Sequence, residues 1–331
     1  MATCTNAHIG RAQAIWFAKE TTAWTLSAGT KYWIAKDGGI MKPVIESAMD
    51  ESGYWVIESN YDSQVVRETT ETNISGIVRD TVFGLLLKAT FGTEASVAKI
   101  APNTAVYDHT FTVLNTNAHP SLSCRAYDPV GTYTSTYNMV NEMKITGAVG
   151  DYIKFDLSLL WKKMVTASTP TVAYTSDNPF LARHCLLYVD TTEAWLDSAT
   201  ALDLNNFEIN ISKNVEMMGI GLEPDCFLNQ NFVVSGSFEA VFKNNTDWLA
   251  LVQGATEKFF RIKILNSDVT IGTSANPELS FTFAKAVFNE WDKSDDNNSI
   301  VTQTVWFIAN FNNTAGFSMK AKLTNLQSAV Y

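Results

Sequence analysis

Two tandem, mainly β domains, each a β-sandwich with one short flanking helix, are the architecture this sequence predicts. Three observations carry that reading. Landmarks recur across the chain at about half its length: Ser75-Gly76 answers Ser235-Gly236, Gly92 answers Gly254, Thr21-Thr22-Ala23-Trp24 answers Thr192-Glu193-Ala194-Trp195, and His119-Pro120-Ser121-Leu122-Ser123 answers Asn276-Pro277-Glu278-Leu279-Ser280. Apolar and polar residues alternate with a period of two over many short segments, the signature of half-buried strands. Helical pattern appears only twice, once in each half.

The first domain is expected over residues 1–165. A long hairpin arm at about 42–70 has Pro43-Val44-Ile45 and Tyr54-Trp55-Val56-Ile57 on either side of the turn Asp50-Glu51-Ser52-Gly53. Such an arm either reaches a neighbouring subunit or folds back on its own core. Asp80 is placed to N-cap a helix over about 80–91 that Gly92 stops. Tyr152 to Trp161 follows as a strand with Ile153, Leu157 and Leu159 inward. Polar residues 166–180, with Pro170 and Pro179, form the expected linker. The second domain then runs over 181–331, with strands at Leu186–Val189, Phe207–Ser212, Phe260–Ile264 and Val305–Phe311. In Phe207–Ser212, Phe207, Ile209 and Ile211 share one face and Glu208, Asn210 and Ser212 the other. Asn245 or Thr246 caps a helix over about 246–253 that Gly254 stops, with Asp247 complementing the helix dipole.

Composition narrows the function. Of 331 residues, 46% are hydrophobic and only 18% charged, below the roughly 25% charge of average soluble chains. A charge-poor surface suits a protein covered by other subunits. The net charge is −10 and no Lys/Arg run occurs, so the basic footprint of a nucleic-acid-gripping protein is missing. An acidic wall instead suits a surface that DNA must slide past. No apolar run approaches 18 residues and no charged start leads into an apolar segment, so neither membrane spanning nor a signal peptide is expected. Cys4, Cys124, Cys185 and Cys226 lack CxxC spacing and read as free thiols.

No catalytic chemistry is visible. His8, His109, His119 and His184 match no zinc spacing, since adjacent strand residues point to opposite faces. Asp292, Asp295 and Asp296 lack the ligand register of a calcium loop and read as a solvated turn. Nucleophile elbow, P-loop and dinucleotide motifs are absent. Trp24 and Trp195, at matching places, read as packing residues. The expectation is no enzyme, no cofactor and no metal.

These features together resemble the major tail tube proteins of tailed bacteriophages, of the long two-domain type. The matching segments are Glu71-Thr-Asn-Ile-Ser-Gly76, Leu85-Leu-Leu-Lys-Ala-Thr-Phe-Gly92, His109-Thr-Phe-Thr-Val-Leu-Asn-Thr-Asn-Ala-His-Pro-Ser-Leu122, Ile211-Ser-Lys-Asn-Val215, Val234-Ser-Gly-Ser-Phe238, Leu323-Thr-Asn325 and the terminal Tyr331. The resemblance implies tail-tube-type β-sandwich domains contributing to a β-barrel-lined tube. Three copies would form a pseudo-sixfold ring, and rings would stack around a tape measure protein. Tail-tip (distal tail) and tail terminator proteins would close the ends. DNA would pass without specific binding, and no membrane is engaged. The protein would reside in the virion tail after assembly in the host cytoplasm. The first arm (Tyr54, Trp55, Val56) and the segment answering it (Asn214, Val215, Met217, Met218) would hold rings together. Two other readings remain: another tail ring component (terminator or tail-tip protein), and a carbohydrate-binding β-sandwich argued only from the aromatics.

Overall fold

The computed structural model describes residues 10–39, 41–52, 54–55, 57–58, 62–117, 119–241, 248–294 and 300–331. The chain is mainly β. Its strands in the N-terminal half are β1 Ala14–Lys19, β2 Tyr32–Ile34, β3 Lys36–Gly38, β4 Met41–Asp50, β5 Asp62–Ile77, β6 Gly92–Ala98, β7 Tyr107–Val113, β8 Leu122–Tyr127, β9 Thr132–Ala148, β10 Lys154–Trp161 and β11 Val165–Thr166. The C-terminal half adds β12 Cys185–Asp190, β13 Leu202–Ser212, β14 Glu216–Met218, β15 Cys226–Leu228, β16 Val233–Val241, β17 Lys258–Leu265, β18 Glu278–Lys293, β19 Thr302–Ala309 and β20 Met319–Asn325. Two α-helices, α1 Phe83–Phe91 and α2 Trp248–Gln253, and three 3-10 turns, Gly10–Ala12, Ala182–His184 and Glu193–Trp195, complete the described elements.

The C-terminal half closes on itself as a six-stranded barrel, β12–β13–β16–β19–β18–β17 and back to β12. Closure leaves fewer raw strand edges than a flat sheet would. In the N-terminal half, pairing runs β1–β8–β9–β10–β5–β3, and β2, which pairs with β1, is separated from β3 by Ala35 alone. Two seams tie the halves together. β9 pairs with β13 over Glu142–Ala148 against Asn206–Ser212, and β20 lies between β18 and β7. One buried apolar cluster runs through both halves, from Ile15 and Phe17 to Phe281 and Leu323.

The Ser-Gly landmarks have the same local reason in each half. Gly76 stands opposite Phe155, and Gly236 opposite Phe307. A Cβ on Gly76 would lie 3.2 Å from the Phe155 ring, and one on Gly236 would lie 2.7 Å from the Phe307 ring. The missing side chain lets an aromatic from the adjacent strand cover the backbone. At the inter-half seam Gly147 faces Phe207 in the same way. The His119–Ser123 and Asn276–Ser280 pair separates instead: the first leads into β8, the second opens β18. There Ser121 and Ser123 donate to the buried carboxylate of Glu20 at 2.6 and 2.9 Å, an arrangement specific to the N-terminal half.

The helix ends depart from expectation. α1 begins at Phe83 rather than at residue 80, and no side chain caps it. Asp80 is engaged elsewhere, accepting hydrogen bonds from the Asn178 N–H and Nδ2 at 2.8 and 2.7 Å. Gly92 does end α1, at φ 95. At the end of α2 the left-handed residue is Ala255 (φ 44) rather than Gly254. The expected caps Asn245 and Thr246, and Asp247, lie outside the described residues.

The last residue of the chain locks onto the first half. The Tyr331 ring lies on α1 where a Cβ on Gly84 would come within 2.1 Å of it. Its hydroxyl donates to Thr81 O at 2.6 Å and accepts from Asn325 Nδ2 at 2.7 Å, while its N–H donates to Glu94. Glu94 also contacts His109, whose other ring nitrogen faces Gln327 O. His109 is thus a buried structural residue in the middle of β7.

Candidate functional site

The broadest candidate surface is one face of a continuous sheet. Strands β5–β10–β9–β13–β16–β19 form six antiparallel neighbours drawn from both halves. Alternation sends Ile74, Leu157, Ile145, Ile209, Phe238 and Phe307 to the core face. The opposite face is at least partly exposed and mostly polar, with Ile77, Leu160, Trp306 and Ile308 among its apolar members. Its charges are Glu71, Glu142, Asp156, Glu208 and Glu239 against Lys144 and Lys154, interspersed with Asn73, Ser75, Ser158, Asn210 and Ser237. Lys144 pairs with Glu208 at 2.8 Å across the seam, and Asn210 Nδ2 donates to Glu208 Oε1 at 2.7 Å. Lys144 and Asn210 together hold the Glu208 carboxyl below its usual range, against the upward push of desolvation. The excess of carboxylates makes the face acidic, with no basic cluster to hold phosphate. Strand alternation could have located these residues from sequence; that all six strands join in one sheet is a long-range fact.

Two hairpins leave this sheet. The first, β4–β5, carries Ile45, Met49, Val65 and Val66 exposed along its length. At its tip Trp55 is 99% and Ile57 103% exposed. Trp55 holds φ 60, a conformation bulky residues rarely adopt. Tyr54 is exposed as well, and Val56 lies outside the described residues.

The second hairpin, β14–β15 with its flanks, is laid against the N-terminal half. Asn214 enters it at φ 45, which asparagine tolerates. Val215 N–H donates to Asn141 Oδ1 at 3.0 Å, Met217 pairs with Phe227, and Met218 remains half-exposed. The Phe227 ring stacks on Tyr137, Tyr137 stacks on Trp24 at 4.1 Å, and the Lys162 amine sits 3.4 Å from the Trp24 ring centre. Glu68 N–H donates to Leu222 O at 2.8 Å, so the tip of the second hairpin rests on the base of the first. Trp195, which follows β12 as Trp24 follows β1, has no such cover and is 59% exposed.

A polar cavity of about 410 Å³ lies at the base of the second hairpin, lined by Asn117, His119, Lys213 and Asn229 among others. Lys213 is 1% exposed, and its amine donates to Ala89 O at 2.9 Å, near the end of α1. Burial pushes that amine down to about 7. His119 donates from Nε2 to Leu114 O at 2.8 Å. Burial, with Lys213 nearby, pushes its ring down to about 4. The groups are held by backbone carbonyls rather than arranged as a nucleophile and base.

Cys124 and Cys185 are buried and their thiols are pushed up by burial, opposite to an activated nucleophile. Among the described residues no three His, Cys, Asp or Glu side chains gather as a metal site, and no helix is long and apolar enough to cross a membrane. Asp292 sits exposed near the end of β18, and Asp295 and Asp296 lie outside the described residues.

Comparison with known proteins decides the family. The model of the phage tail tube protein family matches residues 10–309, nearly the whole chain. The chain belongs to the phage tail tube protein family. It is therefore a structural component of the phage tail, in a family that is not one of enzymes. The family match spans both halves, both hairpins and all six strands of the polar-faced sheet. No curated protein matches the chain.

Proposed function

We propose that this tail tube protein polymerises as stacked rings of three copies, each chain a tandem pair of tube domains, into a hollow tube that conducts DNA during ejection. The observation that carries this reading is the continuous six-stranded sheet with one acidic face, assembled from both halves of a single chain. Three such sheets placed side by side would enclose a lumen with pseudo-sixfold symmetry. An acidic wall repels phosphates, so DNA passes without sticking. The tape measure protein would occupy the lumen during assembly, and terminator and tail-tip proteins would close the ends. Assembly would take place in the host cytoplasm, and no catalysis is involved.

The exposed first hairpin supports the assembly role, because leaving Trp55, Ile57, Met49 and Ile45 in water along one hairpin is unfavourable for a monomer. The proposed assembly residues are Tyr54, Trp55 and Val56 there, with Asn214, Val215, Met217 and Met218 at the second hairpin. Negative-stain electron microscopy of the concentrated chain tests the reading. Rings or tubes with an open centre are expected, and ring mass should correspond to three chains. Solid aggregates or closed dimers would argue against it.

A further inference from the structure

The seam inside the chain joins β9 of the first half to β13 of the second. Along it, Ile145 of β9 stands opposite Ile209 of β13, and Thr146 opposite Glu208. On its other flank Ile145 neighbours Phe155, the residue that covers Gly76; Ile209 neighbours Gly236. The same relations recur at two strand edges that no described strand occupies.

The first edge belongs to β18. Phe288 neighbours Phe307, which covers Gly236, just as Ile145 neighbours Phe155. β17 and β20 pair with β18 only up to Ala286 and Phe283. Over Val287–Asp292, β19 is the only described strand paired with β18, while Trp248 of α2 packs on the Phe288 ring. The second edge belongs to β2–β3. Lys36 neighbours Gly76, as Ile209 neighbours Gly236. The correspondence holds at atomic detail: a Cβ on Gly76 would meet Ala35 O at 3.0 Å, and one on Gly236 would meet Glu208 O at 2.2 Å. Thus Ala35 takes the place of Glu208 and Lys36 that of Ile209. Phe288 takes the place of Ile145, and Glu290 that of Thr146, each pair being matched through its β10 or β19 neighbour.

We propose that β18 of one copy pairs antiparallel with the β2–β3 edge of a second copy, with Phe288 opposite Lys36 and Glu290 opposite Ala35. This deepens the ring reading above and rests on it. The contact is head-to-tail: each chain offers a different edge, so the contact repeats until the ring closes. It satisfies backbone N–H and C=O groups that would otherwise face water as aggregation-prone edges. Residue Asn289 is bulged against β19, which increases local twist where the sheet must curve. By the same correspondence, the first hairpin of one copy would lie over the second half of its neighbour. There Trp195 is left uncovered, whereas Trp24 is covered by the second hairpin.

Cysteine cross-linking tests the register. In assembled full-length protein, Ala35→Cys combined with Glu290→Cys should give a covalent ladder ending at three chains on oxidation. Each single substitution, and the unsubstituted chain, should remain monomeric on a denaturing gel. Thr146→Cys with Glu208→Cys supplies the internal control: it should close within one chain and shift its mobility without raising its mass, which shows that the fold tolerates the chemistry. Hydrogen exchange of the unsubstituted protein gives a second readout. Amides of 287–292 and 36–38 should slow at least tenfold on assembly. Tubes that form without the ladder and without slowed exchange would overturn this seam while leaving the ring reading intact. A chain that stays monomeric at every concentration, with the internal control closed, would overturn both.

Discussion

The two hairpins differ in one respect that matters: what lies beneath them. The first ends in the strand bearing Ser75-Gly76, and the second precedes the strand bearing Ser235-Gly236. The second is fastened to its own chain through Phe227, Asn229, Lys213 and the Leu222 carbonyl. The second still exposes Ile220 at its tip, but the first leaves Trp55 and Ile57 in solvent along with Ile45, Met49, Val65 and Val66. On the proposed reading, the same kind of element serves stability in one place and association in the other.

The largest expected effect comes from unfastening the second hairpin. Phe227→Ala removes a fully buried ring from the Tyr137 stack and should cost about 3–5 kcal/mol, read by denaturant unfolding of the unassembled chain. A loss below about 1 kcal/mol would show that the hairpin is not held by this stack.

The counterpart acts on association alone. Trp55→Ala with Ile57→Ala should leave unfolding of the single chain within about 0.5 kcal/mol of the parent. It should raise the concentration needed for polymerisation about tenfold, a change of about 1.4 kcal/mol, followed by light scattering. Equal losses in both assays would erase the contrast between the hairpins.

Lys213 sharpens the comparison through pH. Its folded pKa is depressed by burial to about 7 from its ordinary 10.5, so between these values the unfolded chain binds more protons than the folded one. Stability from this group therefore rises with pH above about 7, is fully present above its unfolded value, and is lost as pH falls through about 7. The slope is at most about 1.4 kcal/mol per pH unit. Lys213→Met should flatten it between pH 7 and 9 in thermal unfolding. An unchanged slope would mean the amine is not buried as described.

The smallest effect on assembly is expected from the polar face. Glu142→Lys, Asp156→Lys and Glu239→Lys together should leave tubes intact and slow DNA ejection severalfold, because phosphates would then find cations on the wall. Unchanged ejection kinetics would place this face away from the DNA.

Much of the fold was legible locally. Alternation located the strands and inner faces of Phe207–Ile211 and Leu157–Leu159, the flanking segments located the first hairpin although its second strand begins only at Asp62 rather than at Tyr54, and Gly92 ended α1. What was not legible depends on residues far apart in sequence. The Ser-Gly pairs stood out, but their partners Phe155 and Phe307 follow them by more than 70 positions. Asp80 looked like a helix cap because Asn178, its actual partner, gives no local signal. Family membership was legible because the motifs are spread along the chain. The acidic face was not, since its members carry no motif and become a surface only when six strands join across both halves. Likewise, pattern alone does not say which surface a hairpin such as Asn214–Met218 lands on.

The most direct test of the account is a three-dimensional reconstruction of the assembled tube at a resolution that traces strands. The account predicts three chains per ring, with Glu142, Asp156, Glu208 and Glu239 lining the lumen. Six chains per ring, or a lumen lined by another face with these carboxylates turned outward, would contradict it.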